Sequence, residues 1–205
     1  MKHLKMLGLA VVAAAALMAF VGAGTASATK LCKDSACAED YPAETEIKSS
    51  LSGSAILETI GGVTLDTCSG GEVNGKTPAT EGEPLSGNIS ALTWEGCTRT
   101  TDTTVNGSLA IKRVLVENEN KELVPNGNGT VTGSGSSVTV NGIFGTSCVY
   151  GTGTNTPLGT LVGGNPATIT INALVPRTVA NALCPAETRW TASYTVTSPK
   201  PLFIG

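Results

Sequence analysis

Carboxylates are the side chains of this chain that could carry acid–base chemistry. Glu58, Asp66 and Glu95 fall in segments with strand-like alternation, and Glu95 adjoins Trp94. Two carboxylates about 5 to 10 Å apart can hydrolyse a glycosidic bond. The interpretation we favour is that these acids face solvent, opposite an apolar strand face. No catalytic residue is therefore assigned, and a carboxylate-dependent enzyme is kept as the alternative to a protein without enzymatic activity.

Three aromatic side chains are the candidates for binding a ligand. An aromatic face can stack on a sugar ring while nearby polar groups fix its orientation. Trp94, Tyr150 and Trp190 are the residues that could form such a platform. Trp94 and Trp190 each share a strand face with apolar neighbours, so the competing interpretation places both in the core.

Six cysteines could form either disulfides or a metal site. An even number in an exported chain indicates three disulfides, whereas zinc is disfavoured because the sequence has no C-x-x-C pair. Two similar segments, 63–71 and 143–151, each combine an apolar strand, a Thr or Ser, a Cys and a Gly. A second Cys follows each copy. This repeat predicts the pairs Cys68–Cys97 and Cys148–Cys184, and it leaves Cys32–Cys37 as the third.

The N-terminal segment has the pattern of a secretory signal peptide. Lys2 and Lys5 precede an apolar run, and Ala26-Ser27-Ala28 supplies the small residues of a cleavage site. We expect residues 1–28 to be removed, so that the mature chain is secreted or associated with the cell envelope. The mature chain then has no transmembrane segment and no histidine, because His3 is the only one. Histidine-dependent triads and histidine metal sites are thereby excluded.

Low charge further limits the partners and cofactors. Charged residues make up 14% of the chain, against about 25% in ordinary domains. Removal of Lys2 and Lys5 leaves 11 basic and 16 acidic residues, a net charge of −5 that offers no surface for nucleic acid. The acid-rich segments 34–46 and 117–122 lack the spacing of a calcium loop, so no metal or other cofactor is predicted.

The elements that would position these residues are short strands. Apolar and polar residues alternate in eight segments, most clearly in 190–197, and no segment of the mature chain has sustained helical periodicity. We therefore predict an all-β fold, an antiparallel β-sandwich or partly closed barrel of about eight to ten strands held by disulfides. Residues 29–205 are predicted to form one β-sandwich domain. The Gly- and Pro-containing stretch 70–87 is interpreted as a long surface loop.

Several of these features together resemble a known group of proteins. They are the signal peptide, the Leu31-Cys32 to Cys37 opening, the Thr-Ser-Cys148-Val-Tyr-Gly step and the closing segment from Leu183 to Ile204. In these features the chain resembles uncharacterised exported, disulfide-bonded β-rich proteins of soil actinobacteria. The resemblance implies export, disulfides and a β architecture, and it implies no activity.

Three functional hypotheses follow from the sequence. The first is an exported, non-enzymatic structural or binding module of the cell envelope or medium. The sequence does not identify its ligand, and the candidate partners are a cell-wall or extracellular polysaccharide or a protein. The second is a carbohydrate-active enzyme or carbohydrate-binding module that uses carboxylates and aromatic faces. The third is a secreted hydrolase inhibitor whose contact surface is the 70–87 segment.

Overall fold

The computed structural model describes residues 28–104, 107–143 and 145–205, and the predicted signal peptide lies almost wholly outside these residues. The described residues form fifteen β-strands and no helix. The strands are β1 (Leu31–Cys32), β2 (Glu46–Leu51), β3 (Ala55–Thr59), β4 (Thr64–Cys68), β5 (Gly70–Lys76), β6 (Leu85–Glu95), β7 (Thr100–Thr104), β8 (Ser108–Glu117), β9 (Leu123–Ser134), β10 (Ser137–Ile143), β11 (Thr146–Gly151), β12 (Thr156–Val162), β13 (Thr168–Pro176), β14 (Glu187–Ser198) and β15 (Phe203–Ile204).

Eight of these strands close into an antiparallel barrel, which confirms the predicted all-β antiparallel class. The order around the barrel is β2, β5, β6, β8, β9, β12, β13 and β14, and β14 then pairs with β2. The closing contact joins Tyr194 to Leu51 and Thr195 to Ser50. Because the sheet returns on itself, the barrel form is the correct alternative, rather than a sandwich of two sheets.

Alternation along β13 and β14 builds one wall of the interior. Ile169, Ile171, Ala173 and Val175 are buried along β13, and the residues between them are more exposed. On β14 the predicted inward face is confirmed at Ala192, Tyr194 and Val196, which are buried in the same way. The two strands pair along nine consecutive positions. Long pairing and strict alternation make this wall regular.

The prediction of a long loop over 70–87 is wrong. Most of this stretch belongs to β5 and to the start of β6, which pair with each other in the barrel wall. A Cβ on Gly75 would lie 2.9 Å from the Asn88 carbonyl oxygen, and one on Gly87 would lie 2.6 Å from that of Lys76. These glycines therefore permit a close approach of two strand backbones. The glycines that suggested a loop instead allow β5 and β6 to pair closely.

A smaller sheet of β7, β10 and β11 packs against the barrel. Its buried residues, among them Val138, Val140 and Tyr150, share a hydrophobic cluster with Leu57 of β3 and Val175 of β13. The same cluster contains a disulfide between β11 and the segment that joins β13 to β14. The small sheet is thus held on the barrel both by apolar packing and by a covalent link.

Three disulfides join segments of the fold, and no free cysteine remains in the described chain. They are Cys32–Cys37, Cys68–Cys97 and Cys148–Cys184, the pairs expected from the repeat. Three disulfides fit an oxidising, extracellular setting.

Over the described ranges, the chain has no helix that is long and apolar enough to cross a membrane.

Candidate functional site: an apolar cavity inside the barrel

A cavity of about 80 Å³ lies inside the barrel and extends beneath the small sheet. Barrel side chains such as Leu92, Val131 and Ile171 line one part of it, and Val138 and Tyr150 of the small sheet line another. A second space of about 50 Å³ lies beside the first. Five side chains line both spaces: Val73, Ile89, Leu109, Val131 and Ile169. All five of these shared side chains are aliphatic.

The incomplete packing has a visible cause in the strand pairing. Strand β6 pairs with β8 only over Leu85–Asn88, whereas its pairing with β5 continues to Glu95. Val73, Ile89 and Leu109 line the interior near this divergence, and they are half-buried rather than fully buried. Core side chains normally pack at crystal-like density, with few voids larger than a water molecule. The divergence of β6 from β8 leaves these three side chains short of neighbours.

All three candidate platform residues, Trp94, Tyr150 and Trp190, line the larger cavity. The two indole rings meet edge to face, with centroids 5.6 Å apart and planes at 76°. Trp94 Nε1 donates a hydrogen bond of 3.1 Å to the hydroxyl of Tyr194, which also lines the cavity. Tyr150 is fully buried. The structure therefore brings these aromatics together around an interior space, and not as a flat surface for a polysaccharide.

Two polar atoms of this lining have no hydrogen-bond partner among the described residues. They are the hydroxyl of Tyr150 and Nε1 of Trp190, and both atoms are buried. Buried polar groups in proteins are nearly always paired, so each exception calls for an explanation. These two lie in the same cavity wall. They are the two unpaired polar atoms among the residues that line the larger cavity.

Both tyrosines of the cavity are held in the neutral form. Burial raises the pKa of Tyr194 to about 12, although the hydrogen bond from Trp94 acts in the opposite direction. Burial also raises the pKa of Tyr150, against the smaller effect of the positive charge of Arg177. A phenol that stays protonated can donate a hydrogen bond as well as accept one. The cavity wall is therefore polar at these points without being charged there.

Asp66 is the one side chain with a formal charge in the lining of the larger cavity, among the residues described. Its Oδ1 accepts hydrogen bonds from Thr98 Oγ1 at 2.6 Å and from the backbone N–H groups of Arg99 and Thr67 at 2.9 and 2.8 Å. Its Oδ2 accepts one from Thr100 Oγ1. Burial opposes ionisation, but these hydrogen bonds together outweigh it and hold the pKa of Asp66 below its usual range. The carboxylate thus anchors the chain between β6 and β7.

The three acids considered for catalysis are not brought together in the cavity. Glu58 lies in the outward register of β3, where its Oε1 is 3.8 Å from Arg189 Nε. Glu95 is exposed at the end of β6. Of the three, only Asp66 lines the cavity, and its oxygens are occupied by the hydrogen bonds just described. The geometry does not form the paired carboxylates that glycoside cleavage needs.

Two groups of possible metal ligands occur in the described chain. One contains Cys32, Cys37 and Asp40, and the other contains Asp66, Cys68 and Cys97. In both groups the two sulfurs form a disulfide, so they offer no thiolate to a metal. A single carboxylate then remains in each group.

Sequence reasoning found the aromatic residues of the site but missed the space between them. Tyr194 and the aliphatic residues Val73, Ile89 and Leu109 were not recognised as lining residues. Their inward direction could be obtained from strand alternation. The divergence of β6 from β8 is a tertiary feature, and no local pattern signals it.

Comparison with protein-family models, curated proteins and solved structures finds no match to this chain. The resemblance to exported actinobacterial proteins therefore stays a prediction.

Proposed function

We propose that this protein is an exported, non-enzymatic binding module that holds one small apolar molecule inside its barrel. The observation that carries the proposal is the mainly aliphatic and aromatic cavity between the barrel and the small sheet. Closed barrels of eight strands are wide enough to hold one small ligand. This function is a specific form of the binding-module hypothesis, with the ligand inside the fold and not on its surface.

The size and chemistry of the cavity indicate the kind of molecule. Apolar cavities stay dry, and one of about 150 Å³ in an engineered protein binds benzene. The lining here is mainly aliphatic and aromatic but also includes Asp66, Thr100 and Lys76. The two adjoining spaces here, of about 80 and 50 Å³, together approach that size. The proposed ligand is therefore a single ring or a branched chain of similar volume. Its transfer from water would be driven by burial of its apolar surface.

Export is part of the same proposal. The N-terminal pattern of residues 1–28 predicts a cleaved signal peptide. The disulfides support this prediction, because they persist in oxidising compartments and are rare in the cytosol. An exported barrel could take up a sparingly soluble molecule in the medium or the cell envelope.

Calorimetric titration with ethylbenzene tests the binding function. We expect saturable binding to the mature protein and weaker binding to Val73→Phe, because Val73 lines both spaces and the added ring would occupy them. Val162→Phe is the matched control, since it is the same substitution at a half-exposed position of β12. Urea unfolding of each variant would show that it is folded.

Two outcomes of this titration would contradict the proposal. The first is an absence of saturable binding to the folded wild-type protein. The second is equal binding by wild-type protein and a folded Val73→Phe, which would place ethylbenzene outside the cavity.

A further inference from the structure

We infer that the ligand carries one uncharged hydrogen-bond acceptor, which Trp190 Nε1 and the Tyr150 hydroxyl recognise within the cavity. This inference rests on the proposed binding function and names the chemical class of its ligand. The class is a small ring-sized molecule that bears a carbonyl, ether or hydroxyl oxygen. The two recognising atoms are buried and have no partner among the described residues.

The hydrogen-bonding capacity of the two residues determines the polarity of the ligand group. An indole N–H only donates, whereas a phenol hydroxyl donates or accepts. An acceptor oxygen has lone pairs for more than one donor, while a group that only donates cannot pair with Trp190 Nε1. The other indole of the cavity, that of Trp94, already donates to Tyr194. This difference between two neighbouring indoles gives the site one specific donor.

The charges around the cavity favour a neutral ligand. In the larger cavity an anion would face the carboxylate of Asp66 without a cationic side chain in the described lining, whereas Lys76 lines the smaller space. Arg177, whose backbone forms a bridge with Tyr150, donates through its guanidinium to the carbonyl oxygens of Asn181 and Cys184. A cation would have to lose its hydration in an aliphatic space, next to a carboxylate that four donors already occupy. A ligand with an uncharged oxygen avoids both the repulsion by Asp66 and the loss of an ion's hydration.

Four ring compounds of similar size separate these possibilities. Ethylbenzene has no acceptor, acetophenone has a neutral carbonyl, benzoate is an anion and benzylammonium is a cation. We expect acetophenone to bind about tenfold more tightly than ethylbenzene, because it pairs donors that ethylbenzene leaves unpaired. We expect benzoate and benzylammonium to bind more weakly than ethylbenzene.

Nuclear magnetic resonance of the two indole N–H groups supplies a readout that locates the acceptor. The chain has two tryptophans, so the ¹⁵N-labelled protein gives two indole signals that Trp94→Phe and Trp190→Phe can assign. Acetophenone should shift the Trp190 signal downfield and leave the hydrogen-bonded Trp94 signal nearly unchanged. Ethylbenzene should not cause this downfield shift.

The hydroxyl of Tyr150 is tested by its removal. Tyr150→Phe should reduce the preference for acetophenone over ethylbenzene, measured as the ratio of the two affinities on the same folded variant. Tyr41→Phe is the matched control, because the Tyr41 hydroxyl donates to the Pro201 carbonyl at 2.6 Å and Tyr41 does not line the cavity. The comparison of ligands on wild-type protein needs no variant, so it stands even if Tyr150→Phe does not fold.

The outcomes distinguish this inference from the function on which it rests. Equal binding of acetophenone and ethylbenzene, with no shift of the Trp190 signal, would overturn the inference and leave apolar binding in place. Tighter binding of benzoate or benzylammonium than of acetophenone would also overturn it. If the folded protein binds neither neutral compound, the binding function itself fails and the inference fails with it.

Discussion

Replacement of Asp66 should loosen the small sheet from the barrel. The Asp66 carboxylate lies on β4, and three of its four donors belong to Thr98, Arg99 and Thr100 at the approach to β7. The fourth donor is the N–H of Thr67. Asp66 is buried, with 3% of its surface exposed. In Asp66→Ala these donors would lose their acceptor where water has little access.

The hydrogen bonds to Asp66 determine how much the free energy of unfolding falls when Asp66 is replaced. A hydrogen bond to a charged group contributes about 1.5–3 kcal/mol, and bonds that share one acceptor are not additive. Counting the chain segment 98–100 and Thr67 as two independent contacts gives a loss of about 3–6 kcal/mol for Asp66→Ala. Asp66→Asn keeps an oxygen for three of the donors, so its cost should be about 1–2 kcal/mol.

Because the pKa of Asp66 is lowered in the folded protein, its contribution to the free energy of unfolding depends on pH. The folded carboxyl has a pKa below its usual range, whereas an unfolded Asp titrates near about 3.9. Its contribution to stability is therefore fully present above about pH 4 and is lost as the pH falls through the folded pKa. The stability difference between wild-type protein and Asp66→Asn should narrow over this range.

Urea unfolding followed by tryptophan fluorescence, from about pH 7 down to about pH 2, measures both quantities. Glu95→Ala is the control, since Glu95 is exposed and a surface substitution should change stability by about 0.5 kcal/mol or less. A loss below about 1 kcal/mol for Asp66→Ala would refute the reasoning. So would a wild-type advantage over Asp66→Asn that stays constant as the pH is lowered.

Two further predictions concern a buried phenol and the disulfides. Alkaline titration curves of tyrosinate absorbance should coincide for wild-type protein and Tyr194→Phe below about pH 11, because the Tyr194 pKa is about 12. Two curves that already differ near pH 10 would contradict this prediction. Replacing Cys148 and Cys184 by Ala should cost about 4 kcal/mol and replacing Cys32 and Cys37 about 2 kcal/mol, because the bridges span 36 and 5 residues. Urea unfolding measures both costs, and the reverse order would be inconsistent with loop-closure entropy as the cause.

Sequence patterns predicted the regular part of the barrel because its strands bury one face and expose the other. The wall formed by β13 and β14 follows from alternation alone. The closure of the barrel does not, because it depends on β2, whose sequence Glu-Ile-Lys-Ser-Ser-Leu has weak alternation. This strand is placed by its pairing with β5 and β14, which are distant in the chain.

The candidate site was predictable in its residue types but not in its form. Trp94, Tyr150 and Trp190 were recognised as large aromatics with a possible polar role, and all three line the cavity. Whether they fill a core or surround a space depends on the separation of the strands that carry them. That separation arises where β6 leaves β8, near the glycines that bring β5 and β6 close together.

Diffraction from crystals of the mature protein pressurised with xenon tests the central claim most directly. Xenon enters dry apolar cavities in proteins, and its strong scattering reveals where it binds. We predict xenon density inside the barrel, within contact distance of Val73, Leu92 and Ile169. An interior without xenon density, or one filled by ordered water that xenon does not displace, would contradict the proposal that the barrel holds an apolar molecule.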